Sequence, residues 1–282
     1  MQADFPDHNR QRKAAAINDY SSFGRCSLAV ASPILAAMRI QCCPVPTAVF
    51  TNHTGFPAFS CRDLTAQLER YIADWQAISL RFDAIATGFL ASRGQVDFVK
   101  RFIAAFPSPL VLVDPVMGDY GKLYPTYSPA VADAMRELLP LADVLTPNLT
   151  EACILASRPY SPSLARDENA LASLAAELCA PHARAVVISG IPRGEHEFIN
   201  FIHERGKPPA ILPVQRVGSD RSGTGDVFSS VILGCLMRGR ELAEAVRTAA
   251  AFVLRAIRRS AEMGIPLTDG LAFEEVLGDL VC

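Results

Sequence analysis

Three short polar stretches carry residue types and spacings suited to chemistry: "DPVMGD" (114–119), "TPNLTE" (146–151) and "GTGD" (223–226). In the last, Gly223 and Gly225 permit tight backbone geometry and close approach of a ligand. The apolar run "VFSSVILGCLM" that follows starts a helix, whose free N–H groups favour a phosphate. Asp226 falls in its first turn, where a carboxylate either accepts a substrate proton or only stabilises the helix dipole. The stretch is neither a Walker A loop, since no Gly-Lys-Ser/Thr follows, nor a dinucleotide fingerprint, since the third glycine is absent. Asp114 ends an apolar run stopped by Pro115; it suits a divalent cation or a phosphate-bound water, or else caps a turn. The loop after it, with Gly118, Asp119, Gly121 and Tyr124, has the makings of a lid. In "TPNLTE", Asn148 is a good helix N-cap, and Glu151 three residues on completes a capping box. Alternatively Asn148 and Glu151 face a crevice, where Glu151 helps hold a hydrated magnesium ion.

These residues need a frame that brings distant segments together. Six short apolar runs are closed by polar, Gly or Pro residues: 14–18, 43–50, 83–89, 109–114, 142–147 and 184–190. They read as buried parallel strands. Between them lie amphipathic stretches, with Leu64, Leu68, Tyr71, Ile72, Trp75 and Ile78 on one helical face. Val96, Val99, Phe102, Ile103 and Phe106 form a second such face, and Leu242 to Ile257 a third. The alternation predicts an α/β protein with a mainly parallel sheet covered on both faces. Residues 195–217 alternate differently and turn at "ERGKPP", which predicts an antiparallel hairpin at one edge of the sheet. No internal repeat or linker divides the chain, so one domain over 14–282 is expected. In such a sheet, ligands collect at the carboxyl ends of the strands, where all three polar stretches fall.

Composition narrows the function classes. With 27 basic and 29 acidic residues and no basic run, nothing favours nucleic acid or an anionic membrane. The polar residues 1–13 lack the apolar core of a signal peptide and are expected to fray, and no stretch is apolar enough to span a bilayer. A cytoplasmic protein is expected. The eight cysteines show no CxxC pair and no zinc spacing; most lie in apolar segments and read as buried reduced thiols.

Taken in order, "NDYSSFGRCSL", "TNHTGF", "DPVMGD", "TPNLTE" and "GTGD" resemble the pyridoxal/pyridoxamine (vitamin B6) kinase family of the ribokinase superfamily. The resemblance runs from about residue 14 to about 260. It implies a three-layer α/β/α fold and transfer of a phosphoryl group from ATP to the 5′-hydroxymethyl group of a B6 vitamer. Asp226 would be the base, and the amides of Gly223, Thr224 and Gly225 the anion hole. Thr54, with Gly55 beside it, matches the ring-contacting position. Asp114 and Glu151 match acidic residues around ATP and Mg2+, held partly through water. Thr146, Ser189 and Thr224 match nucleotide contacts, and Asp119 and Tyr124 belong to the mobile loop. The family also implies a homodimer and leaves room for a monovalent cation.

Asp19 departs from the pattern, standing where better-known pyridoxal kinases carry a ring-contacting serine. A carboxylate there would pair with a pyridinium N–H, another ring donor or an amine, which leaves the preferred vitamer open. His53 reads as orienting the loop rather than as catalytic. Loose phosphoryl transfer moves the proton late, so Asp226 needs no strongly raised pKa. The rival readings are a hydroxymethylpyrimidine kinase and a non-catalytic vitamer binder.

Overall fold

The computed structural model describes residues 7–124, 127–179 and 183–281. Residues 1–6 of the expected tail, positions 125 and 126 of the lid segment, and Cys282 lie outside the described residues. Parallel order follows from the strand–helix alternation. β1 (Lys13–Ser21), β2 (Gln41–Phe50), β3 (Cys61–Asp63), β4 (Ala84–Thr87), β5 (Val111–Val113), β8 (Val144–Leu145), β9 (Ala185–Pro192), β10 (Glu197–Glu204) and β11 (Ala210–Gln215) form one nine-stranded sheet. Its order is β11-β10-β9-β8-β5-β4-β1-β2-β3. The six central strands from β9 to β2 run parallel, as the apolar runs predict. β10 and β11 form the antiparallel hairpin at one edge. The short antiparallel β3 at the other edge is an addition to the sequence reading; it places Cys61 on an exposed strand, unlike the buried Cys26, Cys153, Cys179 and Cys235.

Both faces of the sheet are buried, so adjacent residues of a strand feed different cores. Ala15 and Ile17 of β1, Val111 and Val113 of β5, and Val186 and Ile188 of β9 point to one face. Ala14, Leu112, Ala185 and Val187 point to the other. The first face is covered by α2 (Leu68–Ala77), α3 (Arg93–Ala105), α4 (Pro129–Met135), α5 (Leu149–Leu155) and α6 (Glu168–Cys179). The second is covered by α1 (Leu28–Ala37), α7 (Thr224–Met237) and α8 (Leu242–Glu262). A two-strand flap, β6 (Gly118–Asp119) and β7 (Lys122–Leu123), stands off the sheet. Its two turn residues, Tyr120 and Gly121, have φ of 50° and 78°, the left-handed pair that a two-residue type I′ hairpin needs.

The polar segment read as a frayed tail is anchored from Asn9 onward. The Asn9 amide donates to Ser79 O at 3.1 Å and accepts from Arg81 N at 2.8 Å, and Arg12 donates to the carbonyl of Met237. Among the described residues, no helix is long and apolar enough to cross a membrane.

Under the first face, Phe102 packs its ring against Trp75, Phe82, Phe98 and Phe106 at centroid distances of 4.8–6.0 Å. It is fully buried, so truncation leaves a void its neighbours cannot refill. Phe102→Ala is expected to lower unfolding free energy by about 3–5 kcal/mol. Denaturant titration measures it, and a loss below about 1 kcal/mol would contradict this account of the packing.

Candidate active site

Strand order reverses between β1 and β4, the switch point at which a parallel sheet opens a crevice beyond its carboxyl edge. A cavity of about 600 Å3 opens there, and every residue singled out from the sequence as a site candidate lines it. Its size suits a small-molecule site.

The "GTGD" turn is built around backbone constraints. Gly223 is the N-cap of α7 with φ 75°, and a Cβ there would lie 1.9 Å from the carbonyl oxygen of Arg25. Only glycine fits. Gly225 is different: a Cβ at that position would meet open space, so the missing side chain leaves the crevice clear in front of the first-turn amides. Thr224 turns its hydroxyl inward, donating to Arg221 O at 2.7 Å, and its amide leans on the same oxygen at 3.4 Å. Asp226 stands one turn into the helix, its carboxylate taking a bond from Asn18 Nδ2 at 3.2 Å. Burial, reinforced by the nearby Asp19 charge, raises its pKa to about 6, against donation from the Ser27 amide and Asn18.

Asp19 ends β1 and is buried, with Oδ1 accepting from Ser27 Oγ at 2.6 Å and Oδ2 from Ser21 Oγ at 3.0 Å. Burial raises its pKa, and the two hydroxyls work against the rise. Two aromatic rings at the ends of neighbouring strands, Phe50 and Phe89, line the same part of the cavity with centroids 6.2 Å apart. Thr54 and Gly55 sit on its exposed lip. The lip is fixed by His53: Nδ1 accepts from Gly55 N at 3.0 Å, so Nε2 donates to Thr268 O at 2.7 Å. With both ring nitrogens committed to backbone, His53 orients the loop.

At the opposite end stand Asp114, Thr146, Glu151 and Ser189. Burial and then the Asp226 charge push the Asp114 carboxyl up to about 7. Among the described residues no basic side chain pairs with it. Glu151 does form the capping box, accepting from Asn148 N at 2.8 Å, and its other oxygen accepts from Met117 N at 3.0 Å. Burial and the Asp114 charge raise its pKa well above the usual carboxylate range. The capping box of "TPNLTE" is present, and it holds Glu151 in the crevice wall. Asn148 Nδ2 also donates to Gly118 O at 2.8 Å, and Gly121 N to Thr150 Oγ1 at 2.8 Å, which fasten the flap over this end. Across the crevice the Tyr120 hydroxyl bonds the Asp220 carboxylate. Burial raises the pKa of Asp119 and of Tyr124, whose backbone amide bonds Met117 O at 2.9 Å.

No group of three His, Cys, Asp or Glu side chains converges on one point among the described residues. A divalent cation here would have two carboxylates at most and would take its remaining ligands from phosphate and water, as Mg2+ does. The site fits such a group. Among the described residues the buried Thr146 Oγ1 beside Asp114 makes no hydrogen bond of normal geometry, Asp114 has no counter-charge, and Gly225 leaves room that a Cβ would fill. The sequence reading missed Asn18, Ser21, Ser27, Phe50 and Phe89. Asn18, Ser21 and Ser27 fall within the quoted stretch "NDYSSFGRCSL" without being singled out, and Phe50 and Phe89 lie at or just past strand ends.

A family model described as phosphomethylpyrimidine kinase matches residues 34–268. A pyridoxine/pyridoxal/pyridoxamine kinase of Bordetella avium is 32% identical over 266 residues, 88% of this chain and 86% of its own length. The chain belongs to the vitamin B6 kinase family of the ribokinase superfamily. Among solved structures, a Bacteroides thetaiotaomicron protein assigned as a phosphomethylpyrimidine kinase, crystallised with pyridoxal, superposes on this B6-family kinase with a TM-score of 0.93. It is 37% identical, with 97% of this chain and 96% of that one covered. Pyridoxal kinase from Lactobacillus plantarum has a TM-score of 0.87 at 28% identity, with 96% of both chains covered.

The raised pKa of Asp114 has a sign that stability measurements can read. In the fold it stays protonated up to about pH 7, whereas the unfolded chain ionises near 3.8, so stability drains away as pH rises through that window. Asp114→Asn removes the penalty. It is expected to raise Tm of the ligand-free kinase by about 2–4 °C at pH 8, the shift from relieving roughly 1 kcal/mol, and by less at pH 5. A gain that is equal at both pH values, or a loss at pH 8, would contradict this electrostatic reading.

Proposed function

We propose that this chain transfers the γ-phosphoryl group of ATP to the 5′-hydroxymethyl group of a B6 vitamer, with Asp226 as general base. The observation that carries the reading is the position of Asp226. It stands half-buried in the first turn of α7 and lines one cavity with Phe50 and Phe89 and with Asp114 and Thr146. Its pKa near 6 leaves it ionised at neutral pH yet basic enough to take a proton.

The vitamer ring would lie beside Phe50 and Phe89, under the lip formed by Thr54 and Gly55, with its hydroxymethyl group toward Asp226. Asp226 takes the hydroxyl proton, the oxygen bonds to the γ-phosphorus, and the bond from that phosphorus to the leaving ADP oxygen breaks. In a loose transition state, negative charge spreads over three equatorial oxygens. The amides of Gly223, Thr224 and Gly225 meet it at the positive end of the α7 dipole, without a lysine. Asp114 and Glu151 would hold Mg2+ at the phosphates, partly through water, and the ion when bound neutralises phosphate charge. Thr146 and Ser189 offer hydroxyls to the nucleotide end. Asp119 and Tyr124 belong to the segment that closes over it.

The continuous sheet supports reading residues 14–282 as one kinase domain. The homodimer and cytoplasmic location follow from the family resemblance and are part of the same proposal. Asp19 favours a ligand with a protonated ring nitrogen or an amine. Phosphorylation of hydroxymethylpyrimidine is the second reading, favoured by the family model that matches the chain.

A panel of pyridoxal, pyridoxamine, pyridoxine and hydroxymethylpyrimidine with Mg·ATP tests the reading. One or more vitamers should give higher kcat/KM than the pyrimidine; turnover of the pyrimidine alone would overturn the vitamer assignment, and ATP-dependent turnover of none would overturn kinase activity. Asp226→Asn should lower kcat by about 10²–10⁴-fold, the usual weight of a general base, with ATP affinity retained. Near-normal turnover would remove Asp226 from that role.

A further inference from the structure

We infer that Asn18 is a positioning residue for Asp226, acting beside the Ser27 amide, and that Gly88 is glycine in order to leave Asn18 room. The inference rests on the reading of Asp226 as the base, and goes beyond it by assigning a group that aims the carboxylate. Asn18 lies at the switch point, on the β1 side. There the β1–β2 ladder slips register between Asn18 and Tyr20, a bulge of the kind that re-aims side chains beside active sites. Its Oδ1 accepts two backbone bonds, from Asp19 N at 2.9 Å and from Phe89 N at 2.8 Å just past the end of β4. Two N–H donors converging on one atom require that atom to be the oxygen. The amide nitrogen is therefore forced the other way, and it meets Asp226 Oδ1 at 3.2 Å.

The carboxamide thus works as a bracket. It reads the ends of two strands with its oxygen and fixes the base with its nitrogen, so the rigidity of the sheet is passed to one carboxylate on a helix. Gly88 makes the bracket possible. A Cβ there would lie 2.2 Å from Asn18 Nδ2 and 2.4 Å from Cγ, although the Gly88 φ lies outside the left-handed region that favours glycine. Leucine or alanine at 18 would leave the two strand-end amides without acceptors. Aspartate would satisfy both amides and yet turn an oxygen toward Asp226. That difference separates positioning from plain structural support.

The test compares Asn18→Asp, Asn18→Ala, Gly88→Ala and Asp226→Asn, singly and in pairs, as full-length protein with pyridoxal and Mg·ATP. Asn18→Asp keeps the strand-end bonds and so guards against a variant that fails to fold. Loss of one hydrogen bond to a charged group corresponds to about 10–100-fold in kcat, and that fall is expected for both Asn18 variants and for Gly88→Ala. Affinities for pyridoxal and ATP, from calorimetry, should stay at wild-type values. In the Asp226→Asn background, Asn18→Ala should cost nothing further, and Gly88→Ala should cost nothing further once residue 18 is alanine. The inference is overturned if Asn18→Asp turns over at the wild-type rate, if the losses at 18 and 226 multiply, or if Asn18→Ala acts through KM alone. A different failure, Asp226→Asn itself remaining active, would overturn the base assignment and this inference with it.

Discussion

The structure turns on the burial of negative charge. Asp19, Asp114 and Glu151 stand buried along one crevice with Asp226 half-buried beside them, and desolvation is the leading cause that raises the pKa of each. An isolated buried carboxylate is unfavourable unless something meets it. Here hydroxyls, backbone amides and one carboxamide meet them. Ser21 and Ser27 hold Asp19, the amides of Met117 and Asn148 hold Glu151, and Asn18 holds Asp226. Asp114 has the Ser229 and Thr146 hydroxyls beside it and no counter-charge among the described residues.

The architecture follows from the need to keep those groups apart by fixed distances. Short strands buried on both faces admit no register slip without exposing a core, so the positions of Asn18, Asp114, Thr146 and Ser189 relative to one another are set by the ladder. α7 delivers Gly223 to Asp226 from the face opposite the aromatic cluster around Phe102. The crevice is therefore walled by the two cores, and the flap and the Thr54 lip, each held by a few hydrogen bonds, edge it.

Much of this was legible in the sequence because it is local. Apolar runs that stop at Asp114, at Thr146 and at Ser189 announce strand ends, and "GTGD" before an apolar run announces a helix start. The capping box of Asn148 and Glu151 can be read at a spacing of three. What escaped depends on contacts between residues far apart in the chain. Asn18 gains its meaning from Phe89 and Gly88, some seventy residues on, and from Asp226, over two hundred residues on. The anchoring of Asn9 to Ser79 and Arg81 is of the same kind, which is why a polar terminus looked like a tail. Phe50 and Phe89 looked like ordinary core aromatics until the strand order set both at the crevice.

The central claim is that Asp226 accepts the proton of the acceptor hydroxyl. The most direct measurement is kcat against pH at saturating pyridoxal and Mg·ATP, in the wild type and in Asp226→Asn. A carboxylate with its pKa raised to about 6 is protonated, and useless as a base, below that value. The account predicts a wild-type kcat that is level at neutral pH and falls as pH drops through about 6, with that limb missing from the residual activity of the variant. A rate that stays level well below pH 6, or the same acidic limb in both proteins, would contradict it.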